Sequence, residues 1–99
     1  MSQEIKLTIL IKTQPGKAAQ QIDAFKQLAP LVRAEEGCLQ YDLHQEGKDP
    51  DFFILVERWA SKAALDAHDR SEHMIKADAA NPTFRAEPAT VLFLQEVIA

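Results

Sequence analysis

Near the start of the chain, Ile5, Leu7, Ile9 and Ile11 alternate with Lys6, Thr8 and Lys12. A period of two sends successive side chains to opposite faces, so this spacing predicts a strand. Thr13-Gln14-Pro15-Gly16 ends it in turn chemistry, with Pro15 suited to the start of a helix. The period then changes. Ala18, Ile22, Phe25, Ala29 and Val32, backed by Leu28, recur every three or four residues and predict one apolar helix stripe. Pro30 inside that stripe removes a backbone donor and predicts a kink one turn earlier. Gly37, after Glu35-Glu36, fits a left-handed C-terminal cap.

A second strand is predicted over Cys38–Glu46, with Leu39, Tyr41 and Leu43 on one face and Gln40, Asp42 and His44 on the other. Gly47-Lys48-Asp49-Pro50-Asp51 turns the chain into a hairpin. Phe52–Trp59 is the third strand: Phe53, Leu55, Glu57 and Trp59 share one face, and Phe52, Ile54, Val56 and Arg58 the other. Apolar residues on both faces imply that both are covered. Ser61 is placed to cap a short helix, Lys62–Arg70, with Ala64, Leu65 and His68 on one side. Glu72–Ala80 has helical composition, and Asn81-Pro82 stops it. Ala89–Ile98 reads as a last strand, with Val91, Phe93 and Val97 against Leu92, Leu94 and Ile98.

The order β-α-β-β-α-β predicts an α+β, ferredoxin-like fold, with an antiparallel sheet carrying its helices on one face. The opposite face would then be bare and apolar. Stacking a second copy sheet to sheet would cover it, so the pattern implies a symmetric homodimer.

Composition narrows the picture. Residues 1–99 suit one domain, and a domain this small buries only roughly 65% of its unfolded surface, so association would help it. The formal net charge of -4 argues against nucleic-acid binding and against attachment to an anionic membrane surface. Met1–Glu4 shows no leader pattern, no apolar run reaches spanning length, and Cys38 is the single cysteine. A reducing, cytoplasmic setting is the expectation.

Four stretches carry a resemblance: Glu35-Glu36-Gly37-Cys38-Leu39-Gln40-Tyr41-Asp42-Leu43-His44, then Phe53-Ile54-Leu55-Val56-Glu57-Arg58-Trp59, then Ala64-Leu65-Asp66-Ala67-His68, and Ser71-Glu72-His73. An acidic-x-Gly ahead of strand two, a Tyr within it, Glu-x-Trp closing strand three and two His flanking helix two occur in order. The set resembles the antibiotic biosynthesis monooxygenase family. That resemblance implies a dimeric α+β barrel with a pocket between sheet and helices. Its members are similar to cofactor-free quinol or anthrone monooxygenases, haem-degrading enzymes and an isomerase of a phosphorylated sugar. The haem-degrading relatives resemble an Asn–Trp–His set. Strand one here offers no Asn, and His68 stands where that Trp would align, which disfavours haem breakdown.

Glu57 is the most informative position, because a carboxylate on a covered strand is costly unless bonded or paired. It serves either as a general base or polarising acid with a raised pKa, or as an anchor for helix two or a partner. His68, on the inward side of the short helix, would take a proton from a phenol near neutral pH, or be a satisfied core histidine. His73 would complete the pocket. Trp59 and Tyr41 would wall a planar aromatic substrate, although a plain core suits Trp59 better. His44 should point away from that wall. Arg58 and Arg85 would meet an anionic group or pair at the surface.

Glu57, His68 and His73 would make a three-ligand metal set. Five-residue spacing across a helix end does not match a helical ligand pair, so no metal is expected. The three glycines are too far apart to cradle a phosphate, so no nucleotide cofactor is expected either. Cys38 reads as a small buried hydrophobe. These readings converge on a cofactor-independent monooxygenase joining a small aromatic quinol and dioxygen, with His68, Glu57 and His73 in catalytic roles. The alternatives are an isomerase of a phosphorylated hydroxyketone and a non-catalytic aromatic-binding stress protein.

Overall fold

Each alternating segment becomes a strand of one sheet in the computed structural model, which describes residues 3–98. Met1 and Ser2, part of the Met1–Glu4 stretch read above, and Ala99 lie outside the described residues. The strands are β1 (Ile5–Lys12), β2 (Cys38–Gln45), β3 (Phe52–Trp59) and β4 (Thr90–Leu94). They lie in the order β2-β3-β1-β4, with every neighbouring pair antiparallel. The helices are α1 (Ala18–Arg33), α2 (Lys62–Asp69) and α3 (Glu72–Ala80), followed by a 3-10 turn at Asn81–Thr83. This is the ferredoxin-like α+β arrangement, with the second helical segment split in two. No helix among the described residues is long and apolar enough to cross a membrane.

Register assigns the faces. Ile5, Leu7, Ile9 and Ile11 of β1 lie opposite Trp59, Glu57, Leu55 and Phe53 of β3. Leu7, Ile11, Phe53, Leu55 and Trp59 are buried with Val32 and Ala29 of α1 and Leu65 of α2, so this face carries the core. The other face sets Leu10 against Ile54, Thr8 against Val56, and Leu92 and Leu94 of β4 beside Thr8 and Lys6. Leu92 and Leu94 are exposed there.

Several local expectations are corrected. A bulge between Cys38 and Gln40 inserts one residue into β2. Cys38, opposite Trp59, therefore shares the core side with Tyr41, while Leu39 is exposed. β4 stops at Leu94, where its pairing with β1 ends at Lys6. Val97 and Ile98 are accordingly about 90% and 91% exposed. Pro15 sits in a turn ahead of α1, not at its first position. In line with expectation, α1 does not stop at Pro30 but continues to Arg33. Pro30 and Lys26 are both exposed, so the carbonyl that loses its donor meets water. The 3-10 turn buries Phe84, which the periodicity does not mark as core.

Gly37 does more than end a helix. Ala34 caps α1, and Gly37 closes the loop beyond it with φ +83. A Cβ on Gly37 would lie 2.5 Å from the Ala64 Cβ of α2, so the loop and the helix are in backbone-close approach. The Ala60 amide donates to the Gly37 carbonyl at 2.8 Å and fixes the contact. Gly37→Ala is expected to cost about 1–3 kcal/mol in urea unfolding, from left-handed strain and overpacking together. Adding Ala64→Gly should return the overpacking part only. An unchanged midpoint for Gly37→Ala would contradict this packing.

Candidate active site

Glu57 reaches the core because β3 alternates and it shares the helix-side face with Phe53, Leu55 and Trp59. Its side chain is buried and accepts a hydrogen bond from the Trp59 indole N–H, Nε1 to Oε1 2.9 Å. One such bond is worth about 1.5–3 kcal/mol, less than the several kcal/mol it costs to desolvate a carboxylate. Burial therefore raises the Glu57 pKa, with the Trp59 bond acting the other way.

His68 stands one turn after Ala64 on α2, where Ser61 caps the helix by accepting from the Ala64 amide at 3.1 Å. The imidazole is buried, 4.5 Å centroid to centroid from the Trp59 ring and edge-on to Tyr41 at 5.9 Å. Its Nδ1 lies 2.8 Å from Glu35 Oε2. The same oxygen lies 2.7 Å from His73 Nε2. A carboxylate only accepts, so both rings donate to it, and His68 carries its proton on Nδ1. That leaves Nε2 as a lone pair, 4.0 Å from Glu57 Oε1. The separation exceeds hydrogen-bond reach, so Nε2 and Glu57 stand side by side as two acceptors.

Glu35 is held for this task. Its amide donates to the Val32 carbonyl at 3.0 Å, and its own carbonyl accepts from the Cys38 amide at 3.2 Å. Ser71 fixes the relative position of the two histidines. Its hydroxyl donates to the His68 carbonyl at 2.7 Å and accepts from the Met74 amide at 3.3 Å, capping α3.

A cavity of about 570 Å³ opens between the sheet, α1 and α3, a size suited to a small organic ligand. Glu57, His68, Tyr41 and His73 line it, with Phe25, Leu7 and Leu55 among its apolar walls. Val91 and Phe93 of β4 form one side and remain exposed. Tyr41 stacks on Phe25 at 5.3 Å. Burial first, and then the charge of Glu57, push its phenol above the ordinary tyrosine range, so the hydroxyl stays protonated. Among the described residues that hydroxyl has no hydrogen-bond partner.

The expected site residues thus divide. Glu57, His68, His73 and Tyr41 meet at one cavity. Trp59 takes its core place: it is wholly buried behind His68 and outside the cavity wall, its indole turned back onto Glu57. His44, opposite Ile54, is exposed on the bare face. Arg58 leaves the site too, making a two-point pair with Glu4 at 2.9 Å on each arm. Arg85 does reach the cavity, its Nε donating to buried Gln21 Oε1 at 3.0 Å. Cys38 is half-buried against the core, and burial raises its thiol pKa.

Glu35 is the residue that sequence reasoning left without a role. Its signal was the acidic-x-Gly pattern, read as a family mark and a helix end. The metal set weighed from the sequence also changes membership. Glu35, His68 and His73 bring their donor atoms within 4.8 Å of one another, with Glu35 in the place expected for Glu57.

Known proteins agree with this architecture. The family model for the antibiotic biosynthesis monooxygenase matches residues 5–80. The probable quinol monooxygenase YgiN of Escherichia coli (strain K12) is 34% identical, over 69% of this chain and 77% of its own. The crystal structure of PA3566 from Pseudomonas aeruginosa superposes with a TM-score of 0.89 at 33% identity, covering 99% of this chain and 98% of that one. Protein SO0527 from Shewanella oneidensis gives 0.90 at 27% identity, covering 100% and 96%. With the match spanning most of the sheet and all three helices, the chain belongs to the antibiotic biosynthesis monooxygenase family.

Proposed function

We propose that the cavity oxidises a quinol or similar electron-rich aromatic with dioxygen, without metal or flavin. The observation that carries this reading is the Glu35–His68 pair, with His68 Nε2 unprotonated beside Glu57 at the cavity wall. Nε2 takes the proton of a bound hydroxyl, and Glu35 steadies the imidazolium that forms. The substrate anion then gives electrons to dioxygen. One oxygen atom ends on the substrate ring and the other leaves as water, so a hydroquinone becomes a hydroxyquinone with no external reductant. Tyr41, still protonated, donates to the substrate, and the apolar walls orient it and exclude water.

Family membership and the similarity to the probable quinol monooxygenase of Escherichia coli support this reading. Oxygen uptake with a panel of quinols tests it. His68→Ala should lower turnover about 100-fold or more, and Glu57→Gln should lower it too. Equal rates in the wild type and both variants would remove these residues from the mechanism.

Arg85 at the cavity favours a second reading, proton-shuttling isomerisation of a phosphorylated hydroxyketone. It uses the same His68 base, with the guanidinium on the phosphate. Exchange of solvent protons into such a substrate without oxygen consumption would decide for it.

The functional unit we propose is a homodimer in the cytoplasm. A reducing compartment suits the free thiol of Cys38. The bare sheet face, with Leu10, Ile54 and Val56 at its centre and Leu92 and Leu94 exposed beside them, is apolar enough to need a cover. Sedimentation velocity should show a dimer, and Val56→Lys together with Ile54→Lys should yield monomers. A wild-type monomer at micromolar concentration would exclude the sheet-to-sheet pairing.

A further inference from the structure

We propose that Glu35, His68 and His73 form a three-ligand site for a divalent transition-metal ion of the zinc class. This departs from the sequence expectation, which judged His68 and His73 by helical spacing. The two are not on one helix: α2 ends at Asp69 and α3 begins at Glu72. The break at Arg70-Ser71 reorients the chain, so His73 faces the same carboxylate oxygen as His68.

Three segments supply the donors: the loop after α1, the last turn of α2 and the first turn of α3. Two imidazole nitrogens and one carboxylate oxygen are the donor set of borderline ions such as Zn²⁺ or Co²⁺, not of Ca²⁺ or Mg²⁺, which take oxygen. The donor atoms already lie within 4.8 Å, and Glu35 Oε2 is 2.8 and 2.7 Å from the two nitrogens. Ligand atoms on a tetrahedral zinc ion stand roughly 3.4 Å apart, given bonds of about 2.1 Å. For an ion to replace the two bridging protons, Glu35 Oε2 must withdraw by roughly 0.6 Å and the two nitrogens, up to 4.8 Å apart, must close by more than about an ångström, a movement open to the part-exposed His73 side chain. Backbone bonds at Glu35 and the Ser71–His68 bond hold two of the ligands before any ion arrives. Glu35 and His73 keep some solvent contact, 15% and 23%, which gives an ion access, while His68 is the buried anchor. Three protein ligands leave a fourth position open.

The site has a consequence that rests on the reading of the cavity given above. An ion on His68 Nδ1 moves the imidazole proton to Nε2. The ring then presents a donor to the cavity in place of a base, so the metal-loaded protein loses turnover.

Equilibrium dialysis of the full chain against Zn²⁺, with Co²⁺ absorption as the spectroscopic reporter, tests the site without reference to activity. The expected result is one ion per chain and Co²⁺ bands of low-symmetry nitrogen and oxygen ligation. His73→Ala and Glu35→Gln should each weaken binding at least about tenfold, with His44→Ala unchanged. His73 is part-exposed, and circular dichroism confirms that its variant folds. Absence of stoichiometric uptake by the wild type, wild-type affinity in both ligand variants, or a sulfur-to-cobalt band implicating Cys38 would overturn the proposal. Turnover by the metal-free protein is a separate measurement, so the site and the proposed reaction can fail independently.

Discussion

One carboxylate oxygen, Glu35 Oε2, ties together three parts of the chain that share no helix or strand. It accepts from His68 at the end of α2 and from His73 at the start of α3, while its own backbone is pinned between α1 and β2. That arrangement depends on how close the loop comes to α2. Only a residue without a Cβ fits beside Ala64 with a left-handed backbone, and Gly37 supplies it. Ala64 and His68 are one turn apart, so the close approach at one end of the turn brings Glu35 within reach of the imidazole at the other.

The consequences run outward from that bond. His68 is fixed in tautomer and in orientation, its ring clamped between Trp59 and Tyr41. Trp59 in turn spends its one polar hydrogen on Glu57. Glu57 is thereby aimed at the cavity while its pKa is raised by burial. The two acceptors at the cavity wall thus come from different layers, one from the sheet and one from the helices. Their 4.0 Å separation is set by how α2 docks on β3.

Much of this was legible in the sequence, for a physical reason. Strands with one buried face fix their own register, so the alternation in β1 and β3 correctly placed Leu7, Ile11, Phe53, Leu55 and Glu57 on the helix side. The same logic placed His44 away from Tyr41. It failed where a single residue broke the period: the bulge before Gln40 moved Leu39 outward and Cys38 inward. It failed again at the end of β4, where pairing with β1 stops at Lys6. The site was half visible. Glu57, His68 and His73 stood out as polar groups in apolar patterns. Glu35 did not, because a charged residue in a loop looks like solvent-facing chain until tertiary contact buries it. Trp59 kept two readings for a related reason, since periodicity tells which face a side chain takes but not which neighbour its indole meets.

The account rests on Glu35 holding the proton of His68 on Nδ1. Long-range nitrogen–proton correlation NMR on the metal-free protein, near neutral pH, reads this directly. A protonated Nδ1 with an unprotonated Nε2 for His68 is the predicted result. A proton on Nε2 would mean that the ring offers the cavity no base, and would contradict the account.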